Sequence, residues 1–391
     1  MEQKIGIYGG SFNPIHNGHL FVAENIKKML GLDKIIFIPT GNAPHKNIRT
    51  DKKDRFKMTT LAIEGSDFFD VSNFETNKNE KSYTFDTLCH IKSENETAKL
   101  YLIIGSDAFM EIETWHKVSD LFSMCRLIVV SRPGEDKKLL CEQLRNIKKK
   151  YSPPISFIEL DTLNISSTDI RNKIMLGENI NHLVPQKVAE YIYQHQLYAT
   201  NSKINIAAIK KYLYENLTYK RFVHSLNTAS EAIKLSKRYD ENIYKAYVAG
   251  LLHDCAKEIL NTEKIRMCNE YGIKLDRILT KQPDLTHSFL AAQIALHKFS
   301  VTDTDILNAI SYHTTGRKKM TLLEKIIYIA DCIEPNRTFD GVEYLRDLAY
   351  ENINKAVAYS LKTTIEKNKK ADRVIHPLSL EAFQFYKANL K

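Results

Sequence analysis

The chain of 391 residues lacks several patterns that would place it in a common class of protein. Its six cysteines lie far apart without a CxxC pair, which argues against a disulfide scaffold and against a thiolate zinc site. No apolar run approaches the roughly 18 residues that a membrane span needs. No signal-peptide pattern precedes the first predicted strand. We therefore expect a cytoplasmic protein that does not enter a membrane.

A concentrated basic surface is also missing, although the formal net charge is +9. The lysines are spread along the whole chain, and no dense basic block interleaved with aromatic residues marks a nucleic-acid groove. Such a charge balance also suits polyphosphate anions as ligands. We therefore expect small anionic substrates, and no nucleic-acid binding at physiological salt.

The first half of the chain has the pattern of an α/β protein. The runs KIGIYG, KIIFIPT, LYLIIGSD, RLIVVSRPG and ISFIEL are continuously apolar, as in strands that are buried on both faces, and helical stretches separate them. This alternation predicts a doubly wound parallel sheet. Ligands of such sheets bind beyond the carboxyl ends of the strands, where the sequence places Gly9 and residues 39–46, 105–107 and 131–134.

The second half has no strand pattern and reads almost entirely as helix. Stretches such as IAAIKKYLYENL and LEKIIYIADCIEP carry apolar residues at helical spacing. The polar stretch ATNSKIN separates the halves, and no internal repeat relates them. The sequence predicts an α/β domain over 1–198, a linker over 199–205 and an all-α domain over 206–391.

The stretch GGSFNPIHNGH, residues 9–19, follows the first predicted strand. It matches neither the GxxxxGK[ST] phosphate loop nor the GxGxxG dinucleotide motif. Gly9 and Gly10 allow the backbone to approach a phosphate closely. His16 and His19 are three residues apart at a predicted helix start, and therefore face the same side. The N–H groups at that helix terminus favour an anion.

A second polar stretch, ISSTDIR, residues 165–171, follows the last predicted strand and opens another helix. Ser166, Ser167 and Thr168 can cap that helix and donate hydrogen bonds. Arg171, about one turn further along, can bind phosphate oxygens through two N–H groups. Alone, the stretch predicts no more than a well-capped helix. Together with residues 9–19 it indicates a phosphate site.

These two stretches resemble the signatures of the HxGH nucleotidyltransferases, which transfer an adenylyl group from ATP to a phosphate acceptor. The resemblance implies a Rossmann-like nucleotidyltransferase domain and a magnesium ion (Mg2+) that bridges the phosphates. His16 and His19 would act at the α-phosphate, and Arg171 would hold the departing pyrophosphate. The implied ATP-binding residues are Gly9, Gly10, Ser11, Phe12, His16, His19, Gly105, Asp107, Ile165, Ser166, Ser167, Thr168 and Arg171.

Over residues 1–196 the sequence resembles more narrowly the bacterial nicotinate-nucleotide adenylyltransferases. The matching segments are APHK at 43–46, KSYTFDTL at 81–88, GSDAFMEIETWHK at 105–117 and RPG at 132–134. Ala43 replaces a proline of the family. The resemblance implies that Lys46 contacts phosphate as a catalytic residue, Thr84 helps to hold the nicotinate carboxylate and Trp115 stacks on the pyridine ring. The implied nicotinate-nucleotide site consists of Lys46, Thr84, Asp107, Trp115, His116 and Arg132.

Two alternative acceptors remain open for this domain. Nicotinamide mononucleotide differs from nicotinate mononucleotide only in its carboxamide group, and the sequence does not discriminate between them. Pantetheine-phosphate adenylyltransferases share both signatures, but they lack the segment that carries Trp115. We therefore rank nicotinate mononucleotide first.

The second half contains histidines and carboxylates that suit a metal site. His253 and Asp254 are adjacent in LLHDCAKE, which we predict to be helical. Nitrogen and oxygen ligands without a thiolate suit one or two transition ions such as iron, manganese or zinc. Asp254 could bridge two ions, which together would activate a water molecule. The candidate ligands are His224, His253, Asp254, His287, His313 and Asp331.

The order and spacing of these residues resemble the HD phosphohydrolases over residues 206–385. They resemble more narrowly the bacterial HD enzymes that cleave diadenosine tetraphosphate symmetrically to two ADP. This favours iron, although the ligands themselves leave the identity and number of the metal ions open. It implies catalytic roles for Asp254 and Lys257, and phosphate contacts from Asn336 and Arg337. Two alternatives remain: the domain hydrolyses another nucleotide, or it is a metal-containing nucleotide sensor that regulates the first domain.

The expected partners are the small molecules ATP, nicotinate mononucleotide and a dinucleoside polyphosphate. The sequence leaves open whether the chain forms a homo-oligomer.

Overall fold

The structure, a computed structural model, describes residues 2–42, 50–161, 163–199 and 204–390. The chain divides into two compact units, Met1–Ala199 and Thr200–Lys391. The predicted linker at 199–205 lies partly outside the described residues. Among the described residues, no helix combines the length and the apolar character that crossing a membrane requires.

The first unit contains one sheet of six strands, all paired in parallel, in the order β3-β2-β1-β4-β5-β6. This confirms the predicted α/β parallel sheet. The prediction missed β3, because three half-exposed or exposed residues give no apolar run. The strands are β1 (Lys4–Gly10), β2 (Lys34–Pro39), β3 (Phe69–Val71), β4 (Lys99–Gly105), β5 (Cys125–Ser131) and β6 (Ile155–Glu159).

Helices cover both faces of this sheet, because successive strand residues face opposite sides. Ile35 and Phe37 pack into one core cluster, whereas Ile36 and Ile38 pack into the other. The helices are α1 (Asn17–Leu30), α2 (Lys52–Ile63), α3 (Phe74–Asn77), α4 (Thr84–Glu94), α5 (Ser106–Met110), α6 (Val118–Met124), α7 (Lys137–Tyr151), α8 (Ser167–Met175) and α9 (Gln186–Gln194), with a 3₁₀ turn at Ile112–Thr114.

The strand order reverses between β1 and β4, which pair directly with each other. The chain leaves β1 toward β2 on one side and reaches β4, β5 and β6 on the other. Neighbouring connections therefore diverge at the carboxyl ends of β1 and β4, and open a crevice there. Residues 9–19 run from the end of β1 into the start of α1, and residues 105–107 run from the end of β4 into α5, so both predicted segments border this crevice.

The second unit is helical, which confirms the prediction of an all-α domain. Its helices are α10 (Ile206–Asn216), α11 (Tyr219–Tyr239), α12 (Ile243–Leu252), α13 (Asn261–Glu270), α14 (Arg277–Lys281), α15 (His287–Phe299), α16 (Thr304–Tyr312), α17 (Leu322–Ile333), α18 (Val342–Glu351), α19 (Ile353–Lys370) and α20 (Pro377–Tyr386). Two 3₁₀ turns lie at Pro283–Thr286 and Lys387–Leu390.

Two details of this unit position the site. Helix α12 ends at Leu252, so His253 and Asp254 lie just beyond it and not inside a helix as we predicted. Helices α11 and α12 also approach closely at Gly250, where a Cβ atom would lie 2.6 Å from Ala229 Cα. Because Gly250 has no side chain, α11, which carries His224, can pack closely against α12, which His253 follows.

Candidate functional site

The two histidines of the first unit form a stacked pair at the start of α1. Their ring centroids are 3.7 Å apart. The His16 backbone N–H donates to His19 Nδ1 over 3.2 Å, so the neutral His19 ring carries its proton on Nε2. Gly18 lies between them, and a Cβ atom there would lie 3.0 Å from His16 Nδ1, a contact tight enough to displace the ring.

Both histidines are held in the neutral state. Burial, together with a smaller effect from the positive charge of Arg132, lowers the pKa of His16 to about 4. Burial also holds the pKa of His19 well below its ordinary value, with additional contributions from His16 and Arg132. Neutral His19 can donate a hydrogen bond from Nε2, and a bound polyanion would favour protonation of the pair.

The loop between β1 and α1 is braced by residues from the end of the unit. Ser167 Oγ donates to the Pro14 carbonyl over 2.9 Å, and Arg171 Nη1 donates to the Asn13 carbonyl over 2.7 Å. Tyr198 OH donates to Asn13 Oδ1 over 2.7 Å. Residues 165–171 therefore support the first loop directly, beyond capping α8.

A cavity of about 470 Å³ lies at the carboxyl ends of β1, β4 and β5, a volume in the range of small-molecule sites. Tyr8, Ser106 and Glu135 also line it, which the sequence analysis did not anticipate. The predicted residues that the cavity brings together are His16, His19, Gly105, Asp107, Arg132, Ile165, Ser166 and Ser167.

The other predicted residues of the first unit do not line this cavity; they are Gly9, Gly10, Ser11, Phe12, Thr84, Trp115, His116, Thr168 and Arg171. Phe12 is buried, with its ring 5.1 Å from that of His19. Thr84 begins α4, and Trp115 packs half-buried against the core on one face of the sheet. The His116 ring lies 4.7 Å from the Tyr83 ring. Lys46 lies outside the described residues.

Arg55 is a site residue that the sequence analysis missed. It is 1% exposed, and its guanidinium donates to the Ser11 carbonyl over 2.8 Å and to the Gly41 carbonyl over 3.3 Å. It thus ties the loop after β1 to the segment after β2. No motif signals this role, because Arg55 lies in an ordinary polar helix, α2.

In the second unit, the six predicted ligands form one cluster. His224 Nε2 lies 3.0 Å from Asp331 Oδ1 and 3.2 Å from His253 Nε2. His287 Nε2 lies 3.1 Å from Asp254 Oδ1 and 3.3 Å from His313 Nε2. We call this group the histidine–aspartate cluster; its members are His224, His253, Asp254, His287, His313 and Asp331.

Asp254 is shared by two halves of the cluster. Its Oδ1 faces His287 and His313, at 3.1 and 3.4 Å. Its Oδ2 lies 3.8 Å from both His224 Nε2 and His253 Nε2. One carboxylate oxygen is therefore available to each side, as bridging of two ions requires.

The second ring nitrogen of each histidine fixes which atom faces the centre. Three of the histidines place Nδ1 against the backbone carbonyl of the residue three positions earlier: His253 on Gly250, His287 on Asp284 and His313 on Ile310. His224 Nδ1 lies 3.1 Å from Glu334 Oε1. Since a carbonyl or carboxylate only accepts, each Nδ1 donates and each Nε2 lone pair faces inward.

This arrangement fits metal ions. Pairs of Nε2 lone pairs that face each other at 3.2 and 3.3 Å repel unless a cation lies between them. Ligand atoms placed about 2.1 Å from one ion are separated from each other by roughly 3 Å, close to the separations found. Burial lowers the pKa of His253 to about 4, which keeps that ring neutral and able to bind.

The remaining predicted residues lie at the rim of this cluster. Arg337 Nη2 donates to Asp331 Oδ1, and its Nε donates to the Asp331 carbonyl over 2.8 Å. Lys257 Nζ donates to Asp284 Oδ2 over 3.0 Å and lies 3.4 Å from His287 Nδ1. The Asn336 backbone N–H donates to Glu334 Oε2 over 2.8 Å.

Two supporting residues of the cluster were missed from sequence. Arg221 Nη1 lies 2.9 Å from Asp254 Oδ2. Glu334, which is 2% exposed, accepts a hydrogen bond from His224 Nδ1. Both stand three residues from a predicted ligand, Arg221 before His224 and Glu334 after Asp331. Charged residues at this helical spacing lie on the ligand face, which is the signal that could have found them.

Comparisons with known families agree with this division. The cytidylyltransferase-like family model matches residues 7–173, and the HD domain family model matches residues 221–336. The first range contains the cavity with His16 and His19, and the second contains all six members of the histidine–aspartate cluster.

Individual relatives extend the match over most of the chain. The "Probable nicotinate-nucleotide adenylyltransferase" of Clostridium tetani is 41% identical over 198 residues, which are 50% of this chain and 99% of the relative. The "Probable nicotinate-nucleotide adenylyltransferase/Ap4A hydrolase" of Mycoplasma genitalium is 32% identical over 372 residues, 93% of this chain and 98% of the relative.

Among solved structures, this chain is similar to a predicted HD superfamily hydrolase from Clostridium acetobutylicum, which is described as involved in NAD metabolism. The two chains are 39% identical, with a TM-score of 0.47, and the match covers 47% of this chain and 98% of that one. The two sequence relatives, each matched over nearly its full length, assign the family. The chain therefore belongs to the nicotinate-nucleotide adenylyltransferase family, in the form that is joined to an HD domain.

Proposed function

We propose that the chain carries two activities. The first unit transfers the adenylyl group of ATP to nicotinate mononucleotide, giving nicotinate adenine dinucleotide and pyrophosphate. The second unit hydrolyses diadenosine tetraphosphate symmetrically to two ADP. The names of the Clostridium and Mycoplasma relatives support this pair of reactions. The free cysteines agree with a reducing compartment such as the cytoplasm.

In the first reaction, a phosphate oxygen of the mononucleotide attacks the α-phosphorus of ATP, and the bond to the β,γ-pyrophosphate breaks. The nucleophile is already ionised, so no general base is needed, and the site must position two anions and stabilise the charge that develops. His19 donates from Nε2, and Arg132 supplies fixed positive charge in the cavity. Mg2+ bound together with ATP would neutralise part of the charge of the phosphates.

Residues outside the cavity complete this proposal. Ser167, Thr168 and Arg171 would hold the departing pyrophosphate at the start of α8. Gly9, Gly10, Ser11, Phe12, Gly105, Ile165 and Ser166 would shape the rest of the ATP site. Lys46, Thr84, Asp107, Trp115, His116 and Arg132 would form the nicotinate-nucleotide site.

The observation that carries the second activity is Asp254, whose two oxygens face two separate pairs of histidines. The cluster would hold divalent ions, which we propose to be iron and which would supply Lewis-acid chemistry for activating water and for stabilising charge on the attacked phosphate. The protein orients every ring through its Nδ1 contact. Lys257, Asn336 and Arg337, at the rim, would bind the phosphates of the substrate.

One experiment tests both activities in the full chain. Pyrophosphate release from ATP with nicotinate mononucleotide, and ADP release from diadenosine tetraphosphate, are measured for wild type, His19→Ala and Asp254→Ala. We expect each substitution to lower its own unit's rate by at least about 100-fold, because a positioned donor or a bridging ligand is lost. The other unit's rate should stay unchanged.

Two outcomes would contradict the proposal. Full ADP release in Asp254→Ala would exclude the cluster as the hydrolytic centre. If wild type binds metal but cleaves no dinucleoside polyphosphate, the second unit is not this hydrolase, and a role as a nucleotide sensor becomes the better reading. Nicotinamide mononucleotide and pantetheine phosphate, offered as acceptors, check the specificity of the first unit.

A further inference from the structure

A second cavity, of about 810 Å³, lies beside the histidine–aspartate cluster. Cys332, directly after the ligand Asp331, lines it, as does Arg337, which donates hydrogen bonds to Asp331. Helix α19 forms the opposite wall. We call this space the α19 cavity. The link between this cavity and the cluster is Arg337, which lines the cavity and hydrogen-bonds to Asp331. The volume of the cavity is in the range of sites for ligands of nucleotide size.

The charges on its walls favour an anion. Arg337, Lys367 and Lys370 outnumber the carboxylates Asp340 and Glu366. Lys367 and Lys370 are three residues apart on α19 and so face the same side. Within the described part of the chain, neither of these two lysines has an ion-pair partner within 4 Å, so both ammonium groups are available to a ligand.

An aromatic ring completes the wall. Phe339 lines the cavity and is 39% exposed, so its ring is accessible to a ligand. A purine base can stack on such a ring, a contact worth roughly tenfold or more in affinity. A ring beside three cations thus matches a ligand with a base at one end and phosphates at the other.

We propose that the α19 cavity binds one nucleoside-diphosphate half of the dinucleoside polyphosphate, with the base on Phe339 and the phosphates between Arg337, Lys367 and the histidine–aspartate cluster. This inference rests on the proposed hydrolase function and names its substrate-binding surface. Phe339 and Lys367 are positioning and specificity residues, since the metal ligands alone carry the chemistry.

The test uses the full metal-loaded chain with Phe339→Ala and Lys367→Glu. Each should raise the KM for diadenosine tetraphosphate about tenfold, with kcat changed less than about threefold and with the metal content unchanged. Phe385→Ala and Lys369→Glu are matched controls, because both residues are exposed and neither lines the cavity. Hydrolysis of bis-p-nitrophenyl phosphate, which lacks a purine, should be insensitive to Phe339→Ala.

Calorimetric titration with ADP separates failure of the site from failure of the function. We expect the binding isotherm to lose or weaken one site in the two cavity variants relative to both controls. If wild type cleaves diadenosine tetraphosphate but the cavity variants match the controls in KM and in ADP binding, the cavity assignment is wrong while the hydrolase stands. If wild type cleaves no diadenosine tetraphosphate, the proposed hydrolase function is wrong. If the ADP isotherms of the two cavity variants also match those of the controls, the proposed ADP site in the cavity is wrong as well.

Discussion

The histidines of the two units differ in what their Nδ1 atom contacts. His19 Nδ1 accepts a hydrogen bond from a backbone N–H, so Nε2 is a donor suited to a phosphate oxygen. In the histidine–aspartate cluster, His253 Nδ1 donates to a backbone carbonyl, so Nε2 carries the lone pair that can bind a metal. One side chain thus serves two chemistries, and the tautomer is chosen by a single backbone or side-chain contact.

The buried state of His16 predicts a pH dependence of stability. Its pKa is about 4 in the folded unit and about 6.5 when unfolded, so between these values the unfolded state binds more protons. The folded unit should therefore lose up to about 3 kcal/mol as the pH falls from 6.5 to 4, and keep its full stability above 6.5. His16→Gln should remove that part of the dependence.

Trp115 makes the measurement specific to the first unit, because it is the only tryptophan of the chain. Urea unfolding followed by its fluorescence, at pH 7.5 and pH 4.5, gives the free energy of unfolding of that unit for wild type and for His16→Gln. Carboxylates titrate equally in both proteins, so the difference between them reports the protonation of His16 together with its effect on the pKa of His19. Parallel pH profiles would show that His16 is not held neutral.

At the scale of the element, the strands were predictable because a buried parallel strand is apolar throughout. The runs at β1, β2, β4 and β5 coincide with observed strands. Strand β6, at the edge of the sheet, is only partly buried. The end of α12 at Leu252 was not predictable, because the residues that follow it are as compatible with helix as those before. The turn is seen in the structure, where the Cys255 N–H donates to the Leu252 carbonyl over 3.1 Å.

The close packing of α11 and α12 predicts the effect of a single methyl group. Gly250→Ala would place a Cβ atom 2.6 Å from Ala229 Cα, and the helices must separate. We expect a cost of about 1–3 kcal/mol in the stability of the second unit. Since His224 lies on α11 and His253 follows α12, the cluster should widen and hold less metal.

Metal content by atomic emission and ADP release from diadenosine tetraphosphate measure this effect, and adenylyl transfer by the first unit is the internal control. Both metal content and ADP release should fall together, with adenylyl transfer unchanged. Full metal content and full hydrolysis in Gly250→Ala would show that the helix spacing at Gly250 does not position the ligands.

At the scale of the whole molecule, the chain has two compact units with separate chemistry. This predicts separate responses to chelation. After dialysis against a strong chelator and return to buffer with Mg2+ alone, adenylyl transfer should recover fully, whereas hydrolysis should stay below about a tenth of its starting rate. Added Fe2+ or Mn2+ should restore it, because nitrogen-rich sites prefer these ions to Mg2+.

The same samples can be heated while Trp115 fluorescence and far-ultraviolet circular dichroism are recorded. The second unit should unfold at a lower temperature without its metal, by mass action, and the transition seen by Trp115 should not move. A chelated chain that hydrolyses at its full rate in Mg2+ alone would contradict a transition-metal centre.

The candidate sites were predictable to different degrees. The six members of the histidine–aspartate cluster could be chosen from sequence, because their order and spacing resemble those of the HD phosphohydrolases. Arg55 and Phe339 could not, since a buried arginine and an exposed phenylalanine have significance only through neighbours distant in sequence. Recognising them requires knowing that Ser11 lies over Arg55 and that α19 lies opposite Phe339.

The bracing of the first loop by Ser167, Arg171 and Tyr198 has a consequence for how the protein is made. These contacts join residues that are 153, 158 and 185 positions apart. Such long-range closures form late and slowly during folding. On the ribosome, the loop after β1 would gain these supports only after about 200 residues had been synthesised, so an incomplete nascent chain would contain the histidine pair before the loop was held in its native position.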